Sequence, residues 1–239
     1  YIILYRMGIA KIYLLAYNSV QFAGWSYILA LLAMHANNAG WTSEAFNGVW
    51  DTVGTWVIYF QFAAVLEILH SLIGIVKTPA ATTFVQVFSR VACVTLAIYV
   101  PPVHNHWVLT LMLVSWSITE VVRYAFYALS LIDAVPYFLG WLRYTLFIVL
   151  YPSGVSGETG TIIVSLPHVE SMRLFYFDMP NAINFAFNTR LVLMSSLIFY
   201  VFGLPWLYTY MLGQRKRFIQ TGGVKAPAKR PSSATQKKT

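Results

Sequence analysis

Charged side chains are scarce in this sequence, and their scarcity excludes an ordinary soluble domain. Asp, Glu, Lys and Arg make up 10% of the 239 residues, whereas a soluble domain carries about 25%. Hydrophobic residues make up 58% of the chain, and they occur in runs long enough to cross a bilayer. The sequence therefore predicts an all-α, polytopic membrane protein.

Cysteine is almost absent, which removes several kinds of chemistry. Cys93 is the only cysteine, so no disulfide can form within the chain. A tyrosine-phosphatase loop needs Arg six positions after Cys, and that position is Tyr99. Glycine-rich nucleotide motifs and a serine nucleophile elbow are also missing. His104 and His106 have metal-ligand spacing, but no Cys or acidic residue lies near them, so we expect neither metal nor cofactor.

Six apolar segments, separated by polar or proline-containing loops, predict a bundle of six transmembrane helices. Their predicted bounds are 9–34, 53–76, 81–100, 107–131, 136–166 and 185–212. Residues 167–184, between the last two helices, are predicted to be a loop. The membrane domain thus covers residues 9–212. It follows a short segment, 1–8, whose natural start is left open, and precedes a basic tail, 213–239, that is expected to be disordered.

The distribution of Lys and Arg predicts the orientation of the bundle. The loops 35–52, 101–106 and 167–184 together contain one basic residue, Arg173. The opposite side carries Arg6, Lys11, Lys77 and the eight basic residues of the last 25 positions. Cytoplasmic loops are enriched in Lys and Arg, so we expect both termini in the cytosol. Beside a final span, the basic tail indicates a cytosolic anchor and not a nucleic-acid site.

The segment Tyr151-Pro-Ser-Gly-Val-Ser-Gly-Glu158 places a carboxyl group inside an apolar span. Ionisable residues at such depth are costly and usually functional. Seven positions are about two helical turns, so Tyr151 and Glu158 are expected on one helix face. Pro152, Gly154 and Gly157 are expected to loosen or kink this helix and to open room beside its backbone.

The other two acidic residues of the spans have local partners. Glu67 and His70 are three residues apart, as are Glu120 and Arg123, and this spacing predicts two neutralising pairs on helix faces. Glu158 has no basic residue within four positions. Local pairing therefore does not account for Glu158, and a role in proton transfer is the favoured interpretation.

Several motifs resemble the very-long-chain (3R)-3-hydroxyacyl-CoA dehydratases, and together they extend from about Tyr13 to Arg217. The longest are Trp116-Ser-Ile-Thr-Glu-Val-Val-Arg-Tyr124 and Arg143-Tyr-Thr-Leu-Phe-Ile-Val-Leu-Tyr151, which continues to Glu158. Glu67-Ile-Leu-His70 and Phe84-Val-Gln-Val-Phe-Ser-Arg90 are similar as well. The chain departs from the family in two places. Ser71 and Lys77 replace the Cys and Pro of a Cys-x-x-Gly-x-x-Pro variant found in some members, and Lys237 and Lys238 lie one position too near the end for a di-lysine retrieval signal.

The resemblance implies a reaction and its catalytic pair. The family removes water from (3R)-3-hydroxyacyl-CoA to give trans-2-enoyl-CoA, the third step of fatty-acid elongation, in the endoplasmic reticulum membrane. Its catalytic Tyr and Glu correspond to Tyr151 and Glu158. Glu158 is favoured as the base, although the sequence leaves the division of labour open. The implied partners are acyl-CoA, the lipid bilayer and the other elongation enzymes, namely elongase, ketoacyl reductase and enoyl reductase.

Further residues are candidates for supporting roles. Glu120, Arg123 and Tyr124 are expected near the catalytic pair, and basic residues at the cytosolic mouth are candidates for the CoA phosphates. These are Lys77, Arg143, Arg215, Lys216 and Arg217, for which ordinary cytosolic anchoring is an equal alternative. A continuous helix would place Tyr151 about 22 Å from the cytosolic start of its span, within reach of a pantetheine arm. A non-catalytic scaffold of the elongation complex is the main alternative function, and a small transporter is disfavoured because no inverted repeat is found.

Overall fold

The chain forms a bundle of α-helices. The computed structural model describes residues 2–182 and 184–222, with the side chains of residues 2–7 left aside. The α-helices are α1 (Ile2–Asn38), α2 (Val49–Ala63), α3 (Val65–Leu72), α4 (Ala80–Tyr99), α5 (Trp107–Leu131), α6 (Tyr137–Arg143), α7 (Phe147–Ser171) and α8 (Thr189–Thr221). Short 3-10 helices occupy Ser43–Phe46 and Pro101–Val103.

Five helical stretches of the described chain are long and apolar enough to cross a membrane. They are Ser43–Leu72, Ala80–Tyr99, Trp107–Leu131, Tyr137–Ser171 and Thr189–Thr221. They correspond to the second to sixth predicted spans, so an all-helical membrane protein is confirmed. The predicted first span also forms a helix, α1, but α1 is not among the stretches that qualify by composition.

α1 runs antiparallel to the α2–α3 stretch along most of its length. Near one end the Tyr13 hydroxyl contacts Nε2 of His70 at 2.9 Å, and near the other Nδ1 of His35 contacts the Thr52 hydroxyl at 3.0 Å. Two of the polar residues that lower the hydropathy of α1 face the bundle: Asn18 and Gln21 are buried, and the Gln21 amide donates to the Phe60 carbonyl at 3.2 Å.

α5 is the central helix, because it packs against α1 on one side and against α7 on the other. Its buried residues form much of the core, among them Leu109, Met112, Leu113, Trp116 and Tyr124. α8 lies at the edge and packs chiefly on α7. Most of its residues are exposed, and most of the exposed ones are apolar, which suits a helix that faces lipid.

Glycines allow α7 to lie close against α5. A Cβ atom at Gly157 would fall 2.6 Å from the backbone nitrogen of Met112. The prediction that this glycine opens room beside the backbone is therefore wrong, because the space is filled by the backbone of α5. The small residue permits a close helix crossing, as is common in membranes. α7 continues through Pro152, so this proline does not end the helix, and the predicted kink stays a prediction.

Helix ends differ from the predictions in several places. The second span begins at Val49 and is interrupted at Ala64, and the fifth is interrupted at residues 144–146. The expected distance from the cytosolic start of the span to Tyr151 assumed one continuous helix, so it does not apply. The depth of Tyr151 in the membrane stays a prediction.

Two helices extend beyond the predicted spans. α7 continues through Pro167 to Ser171, so the predicted loop 167–184 begins too early. A span tolerates such a proline because neighbouring helices help to satisfy the freed carbonyl group. α8 continues to Thr221, so Arg215, Lys216 and Arg217 are helical and not part of a disordered tail. The remainder of the predicted tail, residues 223–239, lies outside the described residues.

Candidate active site

Glu158 lies on α7, where two neighbouring helices supply hydrogen-bond donors to its carboxylate. The indole Nε1 of Trp116, on α5, donates to Oε1 at 2.8 Å. The hydroxyl of Tyr200, on α8, donates to Oε2 at 2.7 Å. Within the described part of the chain, no ion pair includes Glu158. Its charge is thus stabilised by neutral donors and not by a cation.

Tyr151 lies on the same helix, about two turns before Glu158, which corresponds to a rise of roughly 10 Å. Its ring stacks on that of Tyr208 from α8, with the centroids 6.2 Å apart. Among residues 2–182 and 184–222 its hydroxyl has no hydrogen-bond partner, and no hydrogen bond joins it to Glu158. The sequence-predicted pair therefore shares a helix, but its two functional groups are not hydrogen-bonded to each other.

A cluster of two carboxylates and two guanidinium groups lies beside this site. Arg123 donates to both oxygens of Glu67 at 3.1 Å and to Glu120 at 2.6 Å. Arg90 pairs with the same Glu120 from α4. Two negative and two positive charges balance, so this ionic cluster is neutral as a whole. Tyr124 adds a hydrogen bond of 2.5 Å to Glu67.

The ionic cluster is joined to Glu158 through one side chain. The guanidinium carbon of Arg90 lies 4.9 Å from the ring centroid of Trp116, a cation–π contact. Trp116 in turn donates to Glu158. The predicted supporting residues therefore do not touch Glu158. Glu120 is linked to it through Arg90 and Trp116, and Arg123 and Tyr124 lie beyond Glu120.

Of the two predicted local pairs, one is confirmed and one is wrong. Glu120 and Arg123 form an ion pair three residues apart on α5. Glu67 instead pairs with Arg123 of another helix, and His70 contacts the Tyr13 hydroxyl. A bidentate guanidinium is a stronger partner for a carboxylate than a neighbouring imidazole, which explains the difference.

The candidate CoA-binding residues are brought together only in part. Nε of Arg215 donates to the Thr145 hydroxyl at 3.4 Å, and Phe218 stacks on Tyr144 at 4.8 Å, so the end of α8 packs on the α6–α7 turn. Arg143 lies in the same region and donates to the Tyr127 hydroxyl at 3.0 Å. Lys77, in the α3–α4 connection, and Arg217 are exposed. The antiparallel order of the helices places all four at one end of the bundle.

The two histidines with metal-ligand spacing have structural contacts. Nε2 of His104 contacts the Ala97 carbonyl at 2.6 Å, and the ring stacks on Trp50. His106 caps α5 by accepting from the backbone N–H of Val108. In the described ranges no group of three or more His, Cys, Asp or Glu side chains could hold a metal ion.

A groove of about 460 Å³ lies between α1 and the α2–α3 stretch. Its wall includes Tyr13, Tyr17, Gln21, Phe60 and Leu66. Neither Tyr151 nor Glu158 lines it, so this groove is separate from the candidate site.

Sequence reasoning missed the residues that hold Glu158. Trp116 is part of a family-like motif but was given no role of its own, and Tyr200 was not a candidate. Each lies 42 residues from Glu158 along the chain, beyond the reach of local spacing. Aromatic residues make up 17% of the sequence, so Tyr200 carried no distinguishing signal.

The fold and site define an all-helical membrane protein with a carboxyl group held in its bundle, and comparison with known proteins identifies its family. A family model described as "Protein tyrosine phosphatase-like protein, PTPLA" matches residues 61–221, which include the whole candidate site. The very-long-chain (3R)-3-hydroxyacyl-CoA dehydratase hpo-8 of Caenorhabditis elegans is 42% identical over 216 residues, covering 89% of this chain and 97% of that protein.

Relatives from a plant and a mammal bear the same dehydratase name. The dehydratase PASTICCINO 2 of Arabidopsis thaliana is 38% identical, over 88% of this chain and 94% of that protein. Dehydratase 2 of Homo sapiens is also 38% identical, over 88% and 82% respectively. The chain therefore belongs to the very-long-chain (3R)-3-hydroxyacyl-CoA dehydratase family. No solved structure matches the chain significantly.

Proposed function

We propose that this chain removes water from very-long-chain (3R)-3-hydroxyacyl-CoA to give trans-2-enoyl-CoA, the third step of fatty-acid elongation, in the endoplasmic reticulum membrane. The observation that carries the proposal is the position of Glu158. Its carboxylate accepts two neutral hydrogen bonds inside the bundle, and Tyr151 lies two turns away on the same helix. The names of the relatives supply the reaction class.

Dehydration requires a base at C2 and an acid at the C3 hydroxyl group. Glu158 accepts the C2 proton, and the electron pair of that C–H bond forms the double bond between C2 and C3. The C3–O bond breaks as Tyr151 donates its proton, and water leaves. Return of the proton from Glu158 to Tyr151 restores both groups. Two observations support this assignment over the reverse. The Tyr151 hydroxyl has no hydrogen-bond partner among the described residues, and the Glu158 carboxyl group faces two donors, Trp116 and Tyr200.

The acyl-CoA is proposed to enter from the end of the bundle where the basic residues gather. Lys77, Arg143, Arg215 and Arg217 are the candidates for its phosphates, since a guanidinium group binds phosphate through two N–H donors and a lysine ammonium group binds it as a point charge. The apolar tail would lie among the helices, where each buried CH₂ contributes about 0.8 kcal/mol. The antiparallel packing of α1 supports six spans with both termini cytosolic, because α1 lies along a stretch that itself qualifies as a span.

Glu120, Arg123 and Tyr124 are proposed to support the site from a distance. The ionic cluster fixes Arg90, and Arg90 fixes the ring of Trp116. By this route the cluster orients a donor to Glu158 without contact with the substrate.

The proposal is tested by purifying the chain in detergent and supplying a long-chain (3R)-3-hydroxyacyl-CoA. We expect trans-2-enoyl-CoA, detected by mass spectrometry, and no turnover of the (3S) epimer. A folded wild-type protein that forms no product would favour a non-catalytic scaffold of the elongation complex, with elongase and the two reductases as its partners. Movement of the intact acyl-CoA into liposomes without dehydration would instead indicate a transporter.

A further inference from the structure

We infer that Tyr200 and Trp116 are positioning residues that hold the Glu158 carboxyl group so that it can gain and lose a proton at Oε2. This inference deepens the proposed function and rests on it. The two contacts come from α8 and α5, so the carboxyl group of α7 is held from two separate helices.

The two donors differ in what they can do when Glu158 changes charge. An indole N–H can only donate, whereas a tyrosine hydroxyl can donate or accept. Trp116 therefore keeps Oε1 as an acceptor in both charge states of Glu158. Tyr200 donates to Oε2 of the carboxylate and can accept from Oε2 once that oxygen carries the proton. Neither hydrogen bond is lost during proton transfer, and Oε2 is the oxygen that takes the proton from C2.

The position of Tyr200 on α8 supports a role at this site. Its neighbours Phe199 and Phe202 are 77% and 74% exposed, as expected for a helix that faces lipid. Tyr200 is only partly buried but packs against the core, and its hydroxyl reaches a carboxylate on another helix. Burial of a hydroxyl group in an apolar bundle is costly unless it is hydrogen-bonded, and here its acceptor is Glu158.

The fixed carboxylate also limits where the substrate can lie. Trp116 occupies one hydrogen-bonding direction of Oε1, and Tyr200 occupies one hydrogen-bonding direction of Oε2. C2 of the substrate must therefore approach Oε2 from the side that Tyr200 leaves open. Since Tyr151 is on the same helix face about two turns away, the C3 hydroxyl is expected to point along α7 toward Tyr151.

Tyr200→Phe tests the inference because it removes one oxygen atom and leaves the ring in place. We expect kcat to fall about ten- to a hundredfold, the effect of one hydrogen bond to a charged group, while KM changes less than about twofold. Tyr210→Phe is the matched control. Tyr210 is on the same helix, and its ring stacks on Trp206 away from the site, so kcat should stay at the wild-type value.

A double variant shows whether Tyr200 acts through Glu158. The amide of Glu158→Gln keeps an acceptor for Trp116 and a group that can bond Tyr200, but it cannot take a proton. Adding Tyr200→Phe to Glu158→Gln should then cause no further loss, measured in single turnovers with enzyme in excess.

Two results would overturn the inference. One is a Tyr200→Phe variant with the kcat of the wild type. The other is an equal fall in turnover when Tyr200→Phe is added to the wild type and to Glu158→Gln. Either result leaves the proposed function standing if Glu158→Gln alone is impaired. An inactive wild type, or a fully active Glu158→Gln, would instead contradict the proposed function itself.

Discussion

Arg123 is the residue on which the ionic cluster depends. Its guanidinium group bonds both Glu67 and Glu120 and lies 4.5 Å from the ring centroid of Tyr124. Arg90 reaches only one of the two carboxylates. Without Arg123 the cluster would hold two carboxylates and one cation, an uncompensated charge inside the bundle.

Arg123→Met is therefore expected to be strongly destabilising. Loss of one partner from a buried ion pair costs about 3–5 kcal/mol, because the other charge stays buried. The thermal unfolding midpoint in detergent measures the effect. Arg173→Met is the matched control, since the Arg173–Asp178 pair is 60% and 69% exposed and such pairs contribute at most about 1 kcal/mol. Equal shifts in the two variants would contradict the importance of the cluster.

Single residues show how far local spacing can predict contacts. The Glu120–Arg123 pair follows from its spacing of three residues on one helix, and it is present. Glu67 had His70 at the same spacing, yet it pairs with a guanidinium group 56 residues away. The hydroxyl that bonds Glu158 is likewise distant in sequence. Partners on other helices depend on helix packing, which local spacing does not contain.

At the scale of the elements, the contact between α5 and α7 determines where Glu158 lies. α5 supplies Trp116, and its backbone passes close to Gly157, the residue before Glu158. The interhelical distance at this point is set by the missing side chain of the glycine. A larger residue would move α7 away from the donor that holds its carboxylate.

Gly157→Ala is expected to lower stability by about 1–3 kcal/mol, the usual cost of overpacking a core. The added Cβ would meet backbone atoms of Met112 at 2.6 and 2.7 Å, and backbone cannot rotate away. Gly154→Ala, on the same helix, is the control because its Cβ would lie 3.7 Å from Ser115, an ordinary contact. Unfolding midpoints compare the two. A shift as small as that of Gly154→Ala would show that the helices separate without cost.

The helices themselves were largely predictable, and their ends were not. The apolar runs of the sequence predicted the helices of the second to sixth spans. The fourth predicted span coincides with α5 at Trp107–Leu131. Pro167 misled the prediction, since α7 passes through it and ends at Ser171. In water a proline usually ends a helix. In a membrane an unpaired backbone group costs several kcal/mol, so the helix continues through the proline.

For the whole molecule, the helix order places the basic residues at one end and the loops poor in Lys and Arg at the other. The crossing of α1 rests on its packing alone, because α1 is not among the stretches that qualify as spans by composition. A bundle of six spans requires Lys11 and Lys77 on the same side of the membrane and Ser43 on the opposite side.

Cysteine labelling of microsomes tests this orientation in a background with the buried Cys93 changed to Ala. Lys11→Cys and Lys77→Cys should react with an impermeant maleimide in intact vesicles, whereas Ser43→Cys should react only after detergent is added. All three positions are exposed, so access depends on the membrane. Protection of Lys11→Cys in intact vesicles would mean that α1 does not cross.

The composition predicted the class of the molecule, and the resemblance predicted its family and its catalytic pair. The arrangement that makes Glu158 chemically distinct required the assembled bundle. Among the described carboxylates of the spans, Glu67 and Glu120 have cations and Glu158 has two neutral donors. This difference separates the carboxyl group assigned to proton transfer from those assigned to stability.

The turnover of Glu158→Gln, with Tyr151→Phe beside it, tests the central claim most directly. Both side chains keep their shape, so unfolding midpoints near that of the wild type should accompany any loss of activity. With a long-chain (3R)-3-hydroxyacyl-CoA we expect kcat to fall about 10²- to 10⁴-fold in each variant, the usual contribution of a general acid or base. Near-normal turnover by both folded variants would contradict the assignment of Tyr151 and Glu158 as the catalytic pair.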